Sequence, residues 1–303
     1  MTAFQRQNSK VALSGLVILV IAVSVSASIY EWMVFATTFV RPGLIGLNSN
    51  TVGTDWMVFH GAARSLLGGH QAMMYDGRRF TDFLNHAYRG WLNGPLPFRP
   101  WVYPPSYLLL IAPFGLLGFM ASLLLFEVGT SAALALAVVV GADKDRRKAW
   151  LTAGASVLCP AAALNCLCGQ NAMFFTAVLV AGVRLLGARP ALAGALLGLL
   201  TLKPQFAILA PIALVAGRQW KSLIGFAASA AALVVLSLWA FGVSAWITWT
   251  QLTIHSMLAP SSDWIVFGRL WGNSAWTCAV LLGAPASAAS ALQLAGAIAA
   301  AAA

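Results

Sequence analysis

The first long uncharged apolar run covers residues 11–30, which follow Arg6 and Lys10 and precede Glu31. A bilayer core about 30 Å thick is crossed by roughly 20 helical residues, so this run predicts a transmembrane helix. The run is longer than the apolar region of a signal peptide, about 7–15 residues, which favours a retained signal-anchor helix. Its basic flank predicts a cytoplasmic N-terminus, with residue 31 facing outward.

The next segment, residues 31–105, contains no transmembrane run. Its four Trp residues argue against disorder, because disordered segments are poor in aromatic residues. A connection of this length in a compact protein is usually functional when it is ordered. The segment therefore predicts a large extracytoplasmic loop that carries helices on the membrane surface.

One such helix is predicted in the stretch TDWMVFHGAARSLLGG, with Thr54 as its N-cap and Gly68-Gly69 at its end. Apolar residues recur there at helical spacing, and this pattern predicts a stripe that can lie on the bilayer surface. The stripe consists of Trp56, Phe59, Ala63 and Leu66.

Beyond residue 105, apolar spans alternate with basic clusters, and residues 106–303 are predicted to hold the remaining membrane helices. The spans are 106–142, 149–168, 170–187, 191–217 and 222–242, and the clusters are DKDRRK, RLLGARP and RQWK. If all three clusters are cytoplasmic, Gly169-Gln170-Asn171, Lys203 and residues 243–275 face outward, on the same side as the first loop.

Two of these spans are unusual in length. Residues 106–142 are long for a single crossing, so a short interfacial or broken helix is predicted near Pro113 and Gly115. Residues 191–202 and 205–217 are half-spans on either side of Lys203-Pro204, which suits segments that line a cavity.

Composition agrees with this pattern. Charged residues make up 9% of the chain, against about 25% in a soluble domain, and hydrophobic residues make up 60%. The sequence thus predicts an all-α, polytopic transmembrane helical bundle that forms one integral-membrane domain over residues 1–303. The net charge of +10 then reflects cytoplasmic basic clusters, and nucleic acid is not predicted as a partner.

The four cysteines lie in or beside apolar spans, with no His or carboxylate at ligand spacing, so no metal site is predicted. The chain ends in an apolar, Ala-rich stretch, residues 286–303, without a basic or aromatic flank. This ending predicts a version of the architecture that is incomplete at its C-terminus.

Two charged residues are the strongest candidates for chemistry. Asp55 stands at the predicted start of a helix, where a carboxylate either stabilises the helix end or works as a catalytic group, and the spacing favours neither. Lys203 stands in the middle of an apolar run, in LLTLKPQFAIL, where a lysine costs roughly 2.5–3.5 kcal/mol and by default marks a functional site.

Four weaker candidates are polar groups predicted on the same outward side. Tyr103 belongs to WVYPPSYLLLIAP, in which the two prolines fix the start of the next helix. Gln170 and Asn171 lie in NCLCGQNAMFF, as ordinary turn residues or as amides that reach sugar hydroxyls. His255 belongs to the predicted outward loop TWTQLTIHSMLAPSSDW and is either incidental or a substrate contact.

In combination these stretches resemble glycosyltransferase family 87, the integral-membrane mannosyltransferase-like proteins of the GT-C class, over about residues 11–260. The resemblance rests on the acid in GTDWMVFHGAARSLLGGHQAMMYD, on YPP, on the turn GQN, and on AGALLGLLTLKPQFAILAPIALVAGRQWK. The acid of the family's first loop falls on Asp55, and its Lys-Pro falls on Lys203-Pro204. The chain stops short of the further membrane helices that family members usually carry.

The resemblance implies transfer of a sugar, for example mannose, from a polyprenyl-phosphate carrier to an extracytoplasmic glycan or lipid acceptor. It implies a bacterial inner-membrane enzyme without a metal or other cofactor. Asp55 then fits the general base of a single inverting displacement, and Lys203 fits the clamp on the donor phosphate. Arg64, on the same predicted helix as Asp55, either adds charge at the phosphate or belongs to a solvated helix face.

Two other classes of function remain open. A transporter or flippase for a polar or lipid-linked substrate also suits an intramembrane lysine and Pro-kinked segments. Against it stand the lack of an internal repeat and the long loop after the first helix. A non-catalytic assembly partner is favoured by the abrupt end of the chain alone.

Overall fold

All regular elements in the described part of the protein are helices. The computed structural model describes residues 21–37, 52–92, 94–140, 145–258, 261–263, 266 and 274–302. The helices are α1 (Ile21–Thr37), α2 (Thr54–Leu67), α3 (Gln71–Met74), α4 (Gly77–Ala87), α5 (Pro105–Ile111), α6 (Phe119–Val140), α7 (Arg146–Leu158), α8 (Pro160–Cys168), α9 (Ala172–Leu185), α10 (Pro190–Gly198), α11 (Pro204–Ala207), α12 (Leu209–Ala216), α13 (Trp220–Leu258), α14 (Ala275–Leu281) and α15 (Ala286–Ala302). Short 3₁₀ helices follow α5 and α10, at Ala112–Leu116 and Leu199–Leu202.

Two helices, α6 and α13, are long and apolar enough to cross a membrane within the described ranges. The pair α7 and α8 adds a third candidate if the two helices form one span, because together they are long and apolar enough. The two helices meet at a bend of 46°. The predicted spans 170–187 and 191–217 are represented by shorter apolar helices. The described part of the first span, from residue 21, continues as helix to Thr37, beyond the predicted end at residue 30.

The predicted break in residues 106–142 is confirmed. Helix α5 begins at Pro105, and its continuation through Pro113 tightens into a 3₁₀ helix that ends at Leu116. A separate helix of 22 residues, α6, then runs to Val140. Proline cannot supply a backbone N–H to the α-helical ladder, which explains why the first segment stays short.

The chain also breaks at Lys203, as the two half-spans predicted. Lys203 has the extended backbone angles φ −131° and ψ 86°, between the 3₁₀ helix that ends at Leu202 and α11. Pro204 occupies the first turn of α11, a position in which proline is well tolerated. The break leaves the lysine side chain between two apolar segments, at the edge of the site described below.

Helix α2 confirms the predicted helix and its end at Gly68, but Thr54 is not its N-cap. The N-cap is Gly53, whose left-handed φ of 70° suits glycine, and no side chain caps the helix. The Gly53 N–H donates a hydrogen bond of 2.8 Å to the carbonyl of Leu167, near the end of α8. The start of α2 is therefore tied directly to the turn after α8.

The prediction that the apolar stripe of α2 faces lipid is wrong. Trp56, Phe59 and Ala63 are buried inside the protein. The Trp56 indole stacks on Phe126 of α6, with ring centroids 4.5 Å apart, and its Nε1 donates to Ser122 Oγ at 2.8 Å. The stripe is apolar because α6 and the 3₁₀ helix Ala112–Leu116 cover it, and not because lipid does.

The predicted outward loop 243–275 is also wrong in its first half. Helix α13 consists of two helical segments on either side of Gly242, whose φ of 80° and ψ of 162° are not helical, so the predicted span 222–242 ends where expected but a second segment follows it to Leu258. Glycine accepts this conformation without steric cost, so one residue absorbs the change of direction. Beyond the kink, Trp249 Nε1 donates to the carbonyl of Val102 at 3.1 Å and holds α13 beside the segment before α5. Most of the rest of the predicted loop lies outside the described residues.

Candidate active site

The Asp55 carboxylate lies in the first turn of α2, between two donors from distant parts of the chain. Arg99 Nη1 is 3.2 Å from Oδ1, and Gln170 Nε2 donates to Oδ2 at 2.5 Å. The side chain of Asp55 is 21% exposed, against 7% for that of Arg99. The carboxylate is therefore fixed by its partners, while the side chain as a whole remains partly exposed.

Lys203 supplies a second cation to the same site. Its Nζ donates to Asn171 Oδ1 at 3.3 Å and lies 4.8 Å from the centre of the Phe206 ring. The ammonium group and the Asp55 carboxylate are close enough for electrostatic attraction. Within the described ranges, Lys203 forms no ion pair shorter than 4 Å.

Asn171 connects Lys203 to two tyrosines. The amide is fully buried, and its Nδ2 donates to the hydroxyl of Tyr103 at 3.0 Å and to that of Tyr107 at 2.8 Å. The Tyr103 ring in turn lies 5.8 Å from Lys203 Nζ. All hydrogen-bonding atoms of the Asn171 side chain are used, so the amide orients its neighbours.

The turn Gly169-Gln170-Asn171 brings both amides to the start of α2. Gly169 has a left-handed φ of 72°, and a Cβ there would lie 2.5 Å from the Cβ of Trp56. Only glycine lets the turn approach the helix this closely. Gln170 thereby reaches Asp55, while Asn171 reaches Lys203.

The electrostatics of the site favour a carboxylate that accepts a proton. Burial raises the pKa of Asp55 above its ordinary value, and the attraction of Arg99, the hydrogen bond from Gln170 and the charge of Lys203 oppose this rise. Burial also lowers the pKa of Arg99, while Asp55 counteracts this change. Asp55 is consequently a stronger base than a solvated aspartate, held between two cations.

Two of the predicted site residues lie elsewhere. Arg64 is nine residues along α2 from Asp55, roughly 14 Å at the helical rise, and is exposed in a groove of about 570 Å³ with Arg89 and Trp91. His255 lies exposed on α13, in another groove of about 600 Å³ that includes Tyr75. The structure brings Tyr103, Gln170, Asn171 and Lys203 together around Asp55. Arg64 and His255, which were also predicted as substrate contacts, lie outside this cluster.

Sequence reasoning missed Arg99 and the buried pair formed by Glu127 and Asn165. A signal was present for Arg99, because LPFRPWVYPP places one charge among apolar residues and prolines, where a buried guanidinium needs an acid. Glu127 carried a similar signal as the one charge in the apolar run 106–142. In the part of the chain that the structure describes, no three His, Cys, Asp or Glu side chains converge as metal ligands.

Comparison with known proteins gives one match. The family model of glycosyltransferase family 87 matches residues 101–303, well over half of the chain. The chain belongs to glycosyltransferase family 87. No curated protein matches it, and no solved structure does either.

Membership of glycosyltransferase family 87 supports glycosyltransferase activity and disfavours the transporter alternative. The matched residues include Tyr103, Gln170, Asn171 and Lys203. Asp55 and Arg99 precede the matched region and join these residues only through the fold. The apolar helices further indicate that this glycosyltransferase is integrated in a membrane.

The pairing of Asp55 with Arg99 makes the pH dependence of this family 87 enzyme testable. Arg99→Met removes a cation that lowers the pKa of Asp55, so this pKa should rise further. If transfer requires ionised Asp55, activity is lost as the pH falls through this pKa. The acid limb of the kcat/KM profile should therefore move to higher pH in the variant.

The matched control is Arg78→Met. Arg78 is an exposed arginine of α4 that pairs with Asp263 at 2.6 Å and does not contact the site. Its acid limb should coincide with that of the wild type. An active Arg99→Met enzyme with an unmoved acid limb would contradict the assignment of that limb to Asp55.

Proposed function

We propose that the protein transfers a hexose such as mannose from a polyprenyl-phosphate carrier to a hydroxyl group of an extracytoplasmic glycan or lipid. The single observation that supports this most is the accessible Asp55 carboxylate with Arg99 and Lys203 beside it. When an acceptor hydroxyl attacks a phosphate-activated sugar, a base must take its proton, and cations must stabilise the charge of the leaving phosphate. In the proposed reaction no metal or other cofactor takes part.

The chemistry follows from the roles of these groups. Asp55 takes the proton of the acceptor hydroxyl while that oxygen forms a bond to the anomeric carbon. The bond from this carbon to the phosphate oxygen breaks at the same time, and the polyprenyl phosphate leaves with the electron pair. The phosphate is already a good leaving group, so a general acid is unnecessary. One displacement from the opposite face inverts the anomeric centre.

An apolar groove that includes Pro204, the residue after Lys203, supports a lipid-linked donor. The groove has a volume of about 600 Å³ and is lined mainly by proline, aliphatic and aromatic side chains, with Ser106 and Thr201 as its polar members. Its lining includes Pro104, Pro204, Ala207, Ile208, Trp246 and Trp249. A donor whose phosphate binds Lys203 can place the first part of its tail in this groove, where burial of apolar surface is favourable.

Donor class is the direct test of this proposal. The protein in nanodiscs should bind polyprenyl-phosphate mannose, and native mass spectrometry should show that GDP-mannose does not compete. A nucleotide sugar offers a phosphate but no apolar tail for the groove. Transfer from GDP-mannose in the absence of any lipid-linked sugar would contradict the proposed donor.

The proposed arrangement is a GT-C-type, multi-pass enzyme of a bacterial inner membrane whose large first loop and site face outward. Single cysteines at Gln170 and His255 should react with an impermeant maleimide from outside intact cells. Cysteines at Arg147 and Arg218, in the basic clusters, should react only after permeabilisation. Labelling of the Arg147 replacement from outside would overturn this orientation.

The alternative of a non-catalytic assembly partner predicts no sugar transfer by the wild type or by any variant.

A further inference from the structure

Glu127 is a buried carboxyl group on α6 that the proposed chemistry does not use. Its residue is 4% exposed, and Asn165 Nδ2 donates to its Oε2 at 2.9 Å. An acidic side chain inside a membrane helix is costly and is usually retained for a function. Glu127 does not contact Asp55 or Lys203, so any contribution to the site must pass through its neighbours.

Asn165 transmits the contact from Glu127 to the turn after α8. Its Oδ1 accepts a hydrogen bond of 2.9 Å from the N–H of Ala172, the first residue of α9. Its main-chain carbonyl accepts one of 2.9 Å from the N–H of Gln170. Asn165 therefore holds the turn Gly169-Gln170-Asn171 at both ends, through its main-chain carbonyl at Gln170 and through its side-chain amide at Ala172, and Glu127 fixes that amide.

The same turn carries two side chains of the site. Gln170 donates to Asp55, and Asn171 accepts from Lys203. A rotation of the Asn165 amide would release the N–H of Ala172 and loosen the turn from which Gln170 and Asn171 project. Glu127 is thus connected to the carboxylate and to the ammonium group through Asn165 and the backbone of this turn.

We propose that Glu127 is a positioning residue, which acts through Asn165 to hold the turn that places Gln170 on Asp55 and Asn171 on Lys203. This inference rests on the proposed function, because it takes Asp55 as the base. The contribution of Glu127 is an oriented acceptor for the Asn165 amide, a role that a glutamine oxygen can also fill. Its negative charge is not required.

The groups around both carboxyls define what a titration can report. Asp55 faces Arg99, Lys203, Tyr103 and the Cys168 thiol. Glu127 faces Asn165, together with the thiols of Cys166 and Cys168 and the hydroxyl of Tyr107. Loss of the hydrogen bond from Gln170 removes one influence that lowers the pKa of Asp55, so a misplaced turn moves the acid limb of activity upward.

The test compares Glu127→Met with Glu127→Gln in the full chain, with polyprenyl-phosphate mannose as donor. Methionine keeps the length and apolar packing but offers no oxygen to Asn165. We expect kcat to fall about 3- to 10-fold, as for the loss of one oriented hydrogen bond, and the acid limb to move to higher pH. Glutamine should restore both properties to near the wild-type values.

Two further variants separate positioning from general packing. Gln170→Leu should move the acid limb in the same direction, and adding Glu127→Met to it should produce no further movement, because both changes remove the same contact. Ser131→Ala is the matched control, since Ser131 also projects from α6 toward α9, where its Oγ lies 2.9 Å from Met173 Sδ, without touching the turn. Its acid limb should not move.

The outcomes distinguish this inference from the function on which it rests. Two results would overturn the positioning role alone, provided that activity depends on Asp55. One is an acid limb that does not move in Glu127→Met, and the other is an acid limb whose movements in Glu127→Met and Gln170→Leu add up in the double variant. Full loss of activity in Glu127→Gln overturns it as well, because the charge would then matter. If Glu127→Met does not fold, Glu127→Asp draws the carboxylate back from Asn165 and should show the same upward movement. Activity that is independent of Asp55 contradicts the proposed function instead.

Discussion

Asp55→Asn should reduce sugar transfer by roughly 10²- to 10⁴-fold, the range that a general base contributes. Asparagine keeps the shape of the side chain but cannot take the proton of the acceptor hydroxyl. Its Oδ1 can still accept from Arg99, and the Gln170 amide can turn over to offer its oxygen to the new Nδ2. The flip gives up only the long contact of 3.4 Å between the Asn171 N–H and Gln170 Oε1, so the fold should survive with a small loss of stability.

The measurement is the initial rate of transfer from polyprenyl-phosphate mannose by the purified variant in nanodiscs, alongside its thermal stability. Asp82→Asn is the control, because Asp82 is an exposed acid of α4 in the same predicted loop. It should transfer at the wild-type rate. A wild-type rate in the Asp55→Asn enzyme would remove Asp55 from the mechanism, whatever its contacts in the structure.

Lys203→Met should weaken donor binding or turnover by one to two orders of magnitude. A charge-assisted contact between ammonium and phosphate contributes about 1.5–3 kcal/mol, which corresponds to this factor. Methionine keeps an unbranched apolar chain beside the rings of Phe206 and Phe175, which lie 4.8 and 5.9 Å from the lysine Nζ, so the protein should fold at least as well as the wild type. Lys203→Arg should be intermediate, because a planar guanidinium does not reproduce a compact charge in a shaped pocket.

Binding of the intact polyprenyl-phosphate sugar to the Lys203→Met enzyme is the decisive quantity. Lys221→Met serves as the control, since Lys221 is an exposed lysine at the start of α13, in a predicted cytoplasmic cluster. It should bind the donor as the wild type does. Unchanged affinity and turnover in Lys203→Met would leave Lys203 with a structural role and would contradict the phosphate clamp.

Much of the site was predictable because membrane spans restrict where polar residues can meet. Asp55, the turn with Gln170 and Asn171, and Lys203 all follow or interrupt apolar runs, and the basic clusters predict that they face the same side. The structure brings these residues together. Arg99 could not be assigned from spacing, because the acid that pairs with it is determined only when α2 packs against the segment before α5.

The errors in the predicted fold have a common physical cause. The stripe of α2 shows that this helix covers something apolar, but periodicity does not distinguish a protein core from a lipid surface. The predicted span does end at Gly242, but the residues after it, predicted as an outward loop, form a second helical segment that runs to Leu258. Both outcomes depend on neighbouring helices, which the local pattern does not describe.

The bond from the Gly53 N–H to the Leu167 carbonyl has a consequence for biosynthesis. Asp55 emerges from the ribosome long before Gln170, so the start of α2 can contact Arg99 and α6 before α8 has been made. The bonds to Leu167 and from Gln170 can form only after α8 and the turn that follows have been synthesised. The last contacts of the Asp55 carboxylate are therefore expected to form late, after most of the surroundings of α2 are in place.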